Sequence, residues 1–160
     1  MGRPLWRLGE VGPSNHESGP LGAGDIVPTV VSLEAAGRIA LELPGVEEGE
    51  RRGTRTWTVA GRVFAWERPF TKADIKRFGD ETPPSGDILA VRVADLHEKG
   101  AILAEGRKGI FNIPHFDGYA AVLIELRMAG KTTLREAIFD GWLAVAPPKL
   151  AKEFLTNARP

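Results

Sequence analysis

Three places along the chain carry residue types that could do chemistry. The segment Pro114-His-Phe-Asp-Gly-Tyr119 sets an imidazole, a carboxylate and a phenol close together. His115 with Asp117 has the make-up of a general base and its orienting acid, and Tyr119 that of a proton donor. No cysteine exists anywhere in the chain, and no serine stands in a nucleophile-elbow context. Pro114 and Gly118 bracket the phrase, so it reads equally as a structured turn in which His115 bonds backbone and Asp117 caps. That structural role is the expected one, and a small-ligand or enzymatic site at Pro114–Tyr119 is kept as the third functional reading.

The second place is basic. Between Arg51 and Arg68 stand five arginines (Arg51, Arg52, Arg55, Arg62, Arg68) against one acid, Glu67. Thr54–Val59 and Arg62–Arg68 alternate across Ala60-Gly61, the signature of a tight hairpin. A two-residue turn sets Val59 opposite Arg62, Trp57 opposite Phe64 and Arg55 opposite Trp66, so basic and aromatic residues interleave on one face. Such a face suits a strand-based reader of nucleic acid. The competing reading buries Trp57 and Phe64 under helices with the arginines at the edge, and it is the expected one, because a large apolar pair is costly to leave in water. Local positive potential follows from either.

The third place, Ala129-Gly130-Lys131-Thr132, lies between a strand and a helix as a phosphate loop would. A P-loop requires glycine at position 125, where Glu125 stands, so the segment is read as a helix start. Glu47, Glu48 and Glu50 read as a solvated acidic run, and His16, His97 and His115 are too scattered for a three-ligand metal set. No cofactor is implied.

These residues need elements to position them. The spacing predicts a helix from Thr29 or Ser32 to Leu43, ended by Pro44-Gly45, then an acidic and basic loop before the hairpin. Thr71 with Asp74 has capping-box spacing for a short helix, Lys72–Phe78, inside an excursion from Phe70 to Gly86. Strand Ile88–Val93, a helix opened by Asp95 with Glu98, strands Gly109–Ile113 and Ala120–Met128, and a helix capped by Thr133 follow. Leu134, Ile138, Trp142 and Val145 form the stripe of that last helix. Pro147-Pro148 stops it, and Lys149–Leu155 is expected as a terminal turn or short helix with Leu150 and Phe154 inward. The order α-β-β-β-α-β-β-α predicts a two-layer α+β fold, an antiparallel sheet with helices on one face.

The same parity leaves one sheet face uncovered, with Thr54, Thr56, Thr58, Ala65, Ile88, Ala90, Arg92, Ala121, Leu123, Glu125 and Arg127 outward. This open face reads first as an ordinary solvated sheet face and second as a candidate surface for a protein partner or a second copy of the chain.

Composition bounds the rest. A length of 160 residues suits one core, and 42% hydrophobic with 26% charged residues is ordinary for a globular domain. Without cysteine there is no disulfide, thiolate metal site or thiol nucleophile. Formal net charge is zero, so nucleic-acid binding needs a local patch. Residues 1–28 hold six Gly and four Pro and read as a flexible tail without a secretory h-region, leaving 29–160 as a single domain in a cytoplasmic protein with no membrane span.

Several phrases resemble the MmcQ/YjbR family: Leu43-Pro-Gly-Val-Glu-Glu48, Gly61-Arg-Val-Phe-Ala65, Ile113-Pro-His-Phe-Asp-Gly-Tyr119 and Trp142-Leu-Ala-Val-Ala-Pro-Pro148. The resemblance covers roughly residues 30–156. It implies the secretion-chaperone-like, double-wing fold of small bacterial proteins commonly labelled DNA-binding. The Phe70–Gly86 excursion is longer than in the simpler members. The leading expectation is a non-enzymatic nucleic-acid-binding domain acting on phosphates through Arg51, Arg52, Arg55 and Arg62, with Arg92 and Arg127 as a second group.

Overall fold

Ser32 begins the first helix because its hydroxyl accepts the Ala35 amide, 3.1 Å away, that the helix leaves unpaired. A computed structural model of the chain describes residues 31–158 from this point; the tail reading for residues 1–28 lies outside the described residues. The elements are α1 (Leu33–Leu41), β1 (Val46–Arg51), β2 (Thr54–Val59), β3 (Arg62–Glu67), α2 (Lys72–Arg77), β4 (Ile88–Arg92) and α3 (Leu96–Ala104). After them come β5 (Ile110–Phe111), a 3-10 turn (Pro114–Phe116), β6 (Ala121–Glu125), α4 (Lys131–Val145) and α5 (Pro148–Ala158). The sheet runs β1-β2-β3-β4-β6-β5 with every pair antiparallel. This is the two-layer α+β architecture expected from the order of elements.

The expected acidic and basic loop is instead an edge strand, β1. Its charges are those of an edge that must not pair with another chain. Arg52-Gly53 and Ala60-Gly61 make two successive two-residue turns with positive φ at all four positions, the type I′ geometry that matches strand twist. Arg52 (φ 54°) occupies a conformation that Asn or Gly would take with less strain.

The β2–β3 ladder contains a bulge. Thr58 faces Val63 and Trp57 faces Ala65, so Phe64 is the extra residue. Trp57, Val59, Phe64 and Ala65 all enter the main core with Leu89, Val91, Ile124, Leu134, Ile138 and Trp142. Beyond the bulge the parity inverts. Trp66 pairs with Thr56, not Arg55, and turns to the opposite face. The expected side-chain set Arg55, Trp57, Val59, Arg62, Phe64, Trp66 is thereby split.

The predicted stripe of the last long helix is fully buried, and Gly141 lets α4 sit directly on the sheet, since a Cβ there would lie 2.6 Å from Val91 Cγ1. α4 starts at Lys131, with Gly130 as N-cap and Thr133 inside the first turn, so Thr133 is not the cap. The other two expected caps form: Thr71 with Asp74 as a complete box, and Asp95 accepting from the Glu98 amide.

The uncovered face is only half uncovered. Phe70 and Phe78, flanking α2, and Ile113 and Phe116 of the turn pack on Ile88, Ala90, Ala121 and Leu123 in a second core. Ala90 and Leu123 have no exposed surface, so the expected Thr54/Ala90/Leu123 docking face does not exist as a surface. The long excursion supplies its cover. Only the β1–β3 half of this face stays open.

Candidate functional site

On that open half lies a groove of about 830 Å³. Strand ends and turns supply its arginines: Arg51 and Arg52 from the first turn, Arg62 from the second, Arg68 after β3 and Arg92 at the end of β4. Thr54 and Thr56 of β2 and Trp66 of β3 line it too, and Tyr119 closes one end. Glu67 is the only acid among the lining residues, and its Oε1 accepts the Arg55 amide at 3.1 Å.

The arginines differ in their freedom. Arg68 is held: its Nη1 donates to Asp74 Oδ2 at 3.0 Å and to the Pro69 carbonyl at 2.6 Å. Burial alone would raise the Asp74 pKa, but the Thr71 amide and hydroxyl-capped helix start, together with the Arg68 guanidinium, outweigh it and leave the carboxyl below its ordinary value. Arg51, Arg52, Arg62 and Arg92 form no ion pair with any carboxylate among the described residues. Arg92 lies over the Tyr119 ring, 5.8 Å from its centroid, and its buried Nε has no hydrogen-bond partner among the described residues.

Beside the groove is a recess of about 370 Å³ lined by Trp66, Arg68, His115, Phe116 and Tyr119. The Trp66 and Phe116 rings are nearly parallel at 6.4 Å, Tyr119 meets Phe116 edge-on at 5.4 Å, and Arg68 lies over Phe116. The segment carrying Phe116 and Tyr119 is fixed from below by Lys99, whose buried ammonium donates to the Phe116 carbonyl at 2.6 Å and the Tyr119 carbonyl at 2.8 Å. Burial pushes the Lys99 pKa down, opposed by the Asp117 carboxylate.

Of the six expected nucleic-acid arginines, the structure brings Arg51, Arg52, Arg62 and Arg92 into one groove. Arg55 is on the helix-covered side, stacked on Trp57 and bonded to Glu48 Oε2 at 3.0 Å. That bond, with the Trp57 indole N–H on the other carboxylate oxygen, holds Glu48 below its ordinary pKa against the effect of burial, and raises Arg55. Arg127 is also outside the groove, bonded to Glu125. His115 and Tyr119 share the recess, while Asp117 turns away to accept from Asn112 Nδ2 at 2.8 Å, so the expected base-and-orienter pair is not assembled. Sequence reasoning placed Trp66 on the candidate face but beside Trp57, counted Arg68 in the basic segment without naming it a site residue, and missed Lys99. Only the bulge, invisible to strict alternation, separates Trp66 from Trp57. Lys99 shares the inner side of α3 with buried Ile102, three positions on, and that spacing was its one signal.

Among the described residues no three His, Asp or Glu side chains gather to hold a metal ion, and no helix is long and apolar enough to cross a membrane. No family model matches the chain, and no solved structure does. Curated proteins similar to it include "Uncharacterized protein Rv2570" of Mycobacterium tuberculosis (strain ATCC 25618 / H37Rv) and "Uncharacterized protein Mb2600" of Mycobacterium bovis. Each is 45% identical over 105 residues, spanning 64% of this chain and 81% of the relative.

Proposed function

The chain belongs to the same family as these uncharacterized mycobacterial proteins, and from the geometry of its groove we propose that it binds nucleic acid, without cofactor and without catalysis. One observation carries this reading: Arg51, Arg52, Arg62 and Arg92 line a single groove with one acid, Glu67, and none of the four forms an ion pair with a carboxylate among the described residues. An arginine already paired with a carboxylate must lose that partner before it meets a phosphate, whereas these four have no such partner to lose among the described residues. Their lateral spread along strand ends suits a repeating polyanion better than a single small anion. Trp66 and Tyr119 in the same groove add flat surfaces of the kind that bases stack on.

The resemblance of the Ile113–Tyr119 and Trp142–Pro148 phrases to MmcQ/YjbR proteins supports the same reading, and with it a place in the bacterial cytoplasm. Fluorescence anisotropy of a labelled oligonucleotide, titrated with the full chain at several salt concentrations, tests it. Four phosphate contacts predict a log–log salt slope of roughly −3 (about −0.7 per contact for a single strand). Binding that does not weaken with salt contradicts the proposal.

A further inference from the structure

Resting on the groove reading, we propose that the nucleic acid is single-stranded, and that the recess among Trp66, His115 and Tyr119 takes one unstacked base while the neighbouring arginines hold the backbone. Groove and recess share Trp66, Arg68 and Tyr119, so they are one continuous surface with two chemistries. The groove is cationic and open. The recess is aromatic, and its volume of about 370 Å³ falls in the range of small-molecule sites, roughly 300–1,000 Å³. A duplex keeps its bases stacked and paired and presents only their edges, so it cannot fill an aromatic recess beside a phosphate track. A single strand can turn one base aside into it.

Two further observations favour a base there. Arg92 stands where groove meets recess, over the Tyr119 ring, with a buried Nε–H that has no acceptor among the described residues. That Nε–H is enclosed, so a phosphate at this junction would meet the outer N–H groups of the guanidinium, whose side chain lines the groove. The recess is also built before any ligand arrives. Lys99 ties down the carbonyls at both ends of the Phe116–Tyr119 segment, and Trp66 and Phe116 brace each other, while Tyr119 remains 41% exposed. Little ordering is left for binding to perform.

The test compares a labelled oligothymidylate of about twelve nucleotides, within the usual footprint of single-strand readers, with a blunt duplex of the same length, using the full chain. The unmodified protein is expected to bind the single strand roughly tenfold more tightly, as loss of one base–aromatic stack would imply. Tyr119→Ala and His115→Ala alter exposed side chains, so the core stays intact. Each should lower single-strand affinity several-fold with duplex affinity unchanged, and Tyr119→Phe should restore the preference. Equal affinity for the two forms, or equal losses on both from Tyr119→Ala, overturns the base recess and leaves the groove reading standing. Absence of salt-sensitive binding to either form removes the groove reading itself.

Discussion

Two clusters of tryptophan and arginine sit on opposite faces of the β2–β3 hairpin, and they are built to opposite ends. Around Trp57 everything is closed. The indole has no exposed surface, its N–H donates to Glu48, and Arg55 stacks on the ring and bonds the same carboxylate. Around Trp66 the ring is half-buried, and among the described residues the nearby Arg92 Nε has no partner and Arg51, Arg52 and Arg62 form no ion pair. The same residue types serve stability on one face and are left available on the other. What differs is the pairing: Glu48 bonds both Trp57 and Arg55 in the first cluster, whereas Glu67, the acid that lines the second, accepts the Arg55 amide and forms no ion pair with Arg51, Arg52, Arg62 or Arg92 among the described residues.

The contrast can be broken most sharply by deleting each tryptophan. Trp57→Ala is expected to cost about 3–5 kcal/mol, the usual range for truncating a fully buried aromatic, and Trp66→Ala clearly less. Urea unfolding of the two variants measures this. A comparable loss from both would mean that the second cluster is also structural.

A smaller effect falls on the floor of the recess. Lys99→Met keeps the stem but leaves the Phe116 and Tyr119 carbonyls without their donor, at a cost of about 1–3 kcal/mol. Hydrogen exchange should localise the loosening to residues 113–120, with α1 and α4 unaffected.

The excursion that covers half of the second face depends on Asp74. Because its folded pKa lies below the ordinary value, its contribution is complete above the unfolded value of about 3.9 and is lost as pH falls through the folded one. Asp74→Asn should therefore cost about 1 kcal/mol at neutral pH, and the difference from the unmodified protein should vanish in acid. Urea unfolding repeated from pH 7 down to about pH 3 follows the convergence. A gap that stays constant through acid would contradict this role.

The smallest expected effect has opposite signs in two measurements. Arg52 holds φ 54° in a type I′ turn, so Arg52→Asn should raise stability by roughly 0.5–1 kcal/mol. The same change should weaken oligonucleotide binding a few-fold, since it removes one phosphate contact. Gain in both would show that this side chain is not there for a ligand.

Much of the scaffold could be read from the residues. The 3.6-residue stripe Leu134, Ile138, Trp142, Val145, the caps at Thr71 and Asp95 and the Ala60-Gly61 turn are local signals, and each formed as expected. β1 escaped because Val46–Arg51 is charged along its length; an edge strand needs no apolar face, and only Arg52-Gly53 ahead of Thr54 marked the hairpin. The cover of the second face escaped because Phe70, Phe78, Ile113 and Phe116 are far apart in sequence and meet only through long-range packing. The arginines were visible as a set, but their division was not. A single bulge at Phe64 turns Trp66 away from Trp57, and Glu48 captures Arg55 from a strand that looked like loop.

The central claim is that the groove arginines of the open face, and not arginines in general, hold the ligand. Its most direct test is oligonucleotide binding by Arg51→Glu/Arg62→Glu beside Arg127→Glu, an exposed arginine outside the groove that is bonded to Glu125. The three side chains are exposed, so all the variants should fold. Loss of nearly all binding in the first variant, with the second close to the unmodified protein, is the predicted result. Equal weakening by both, or no weakening by either, would contradict it.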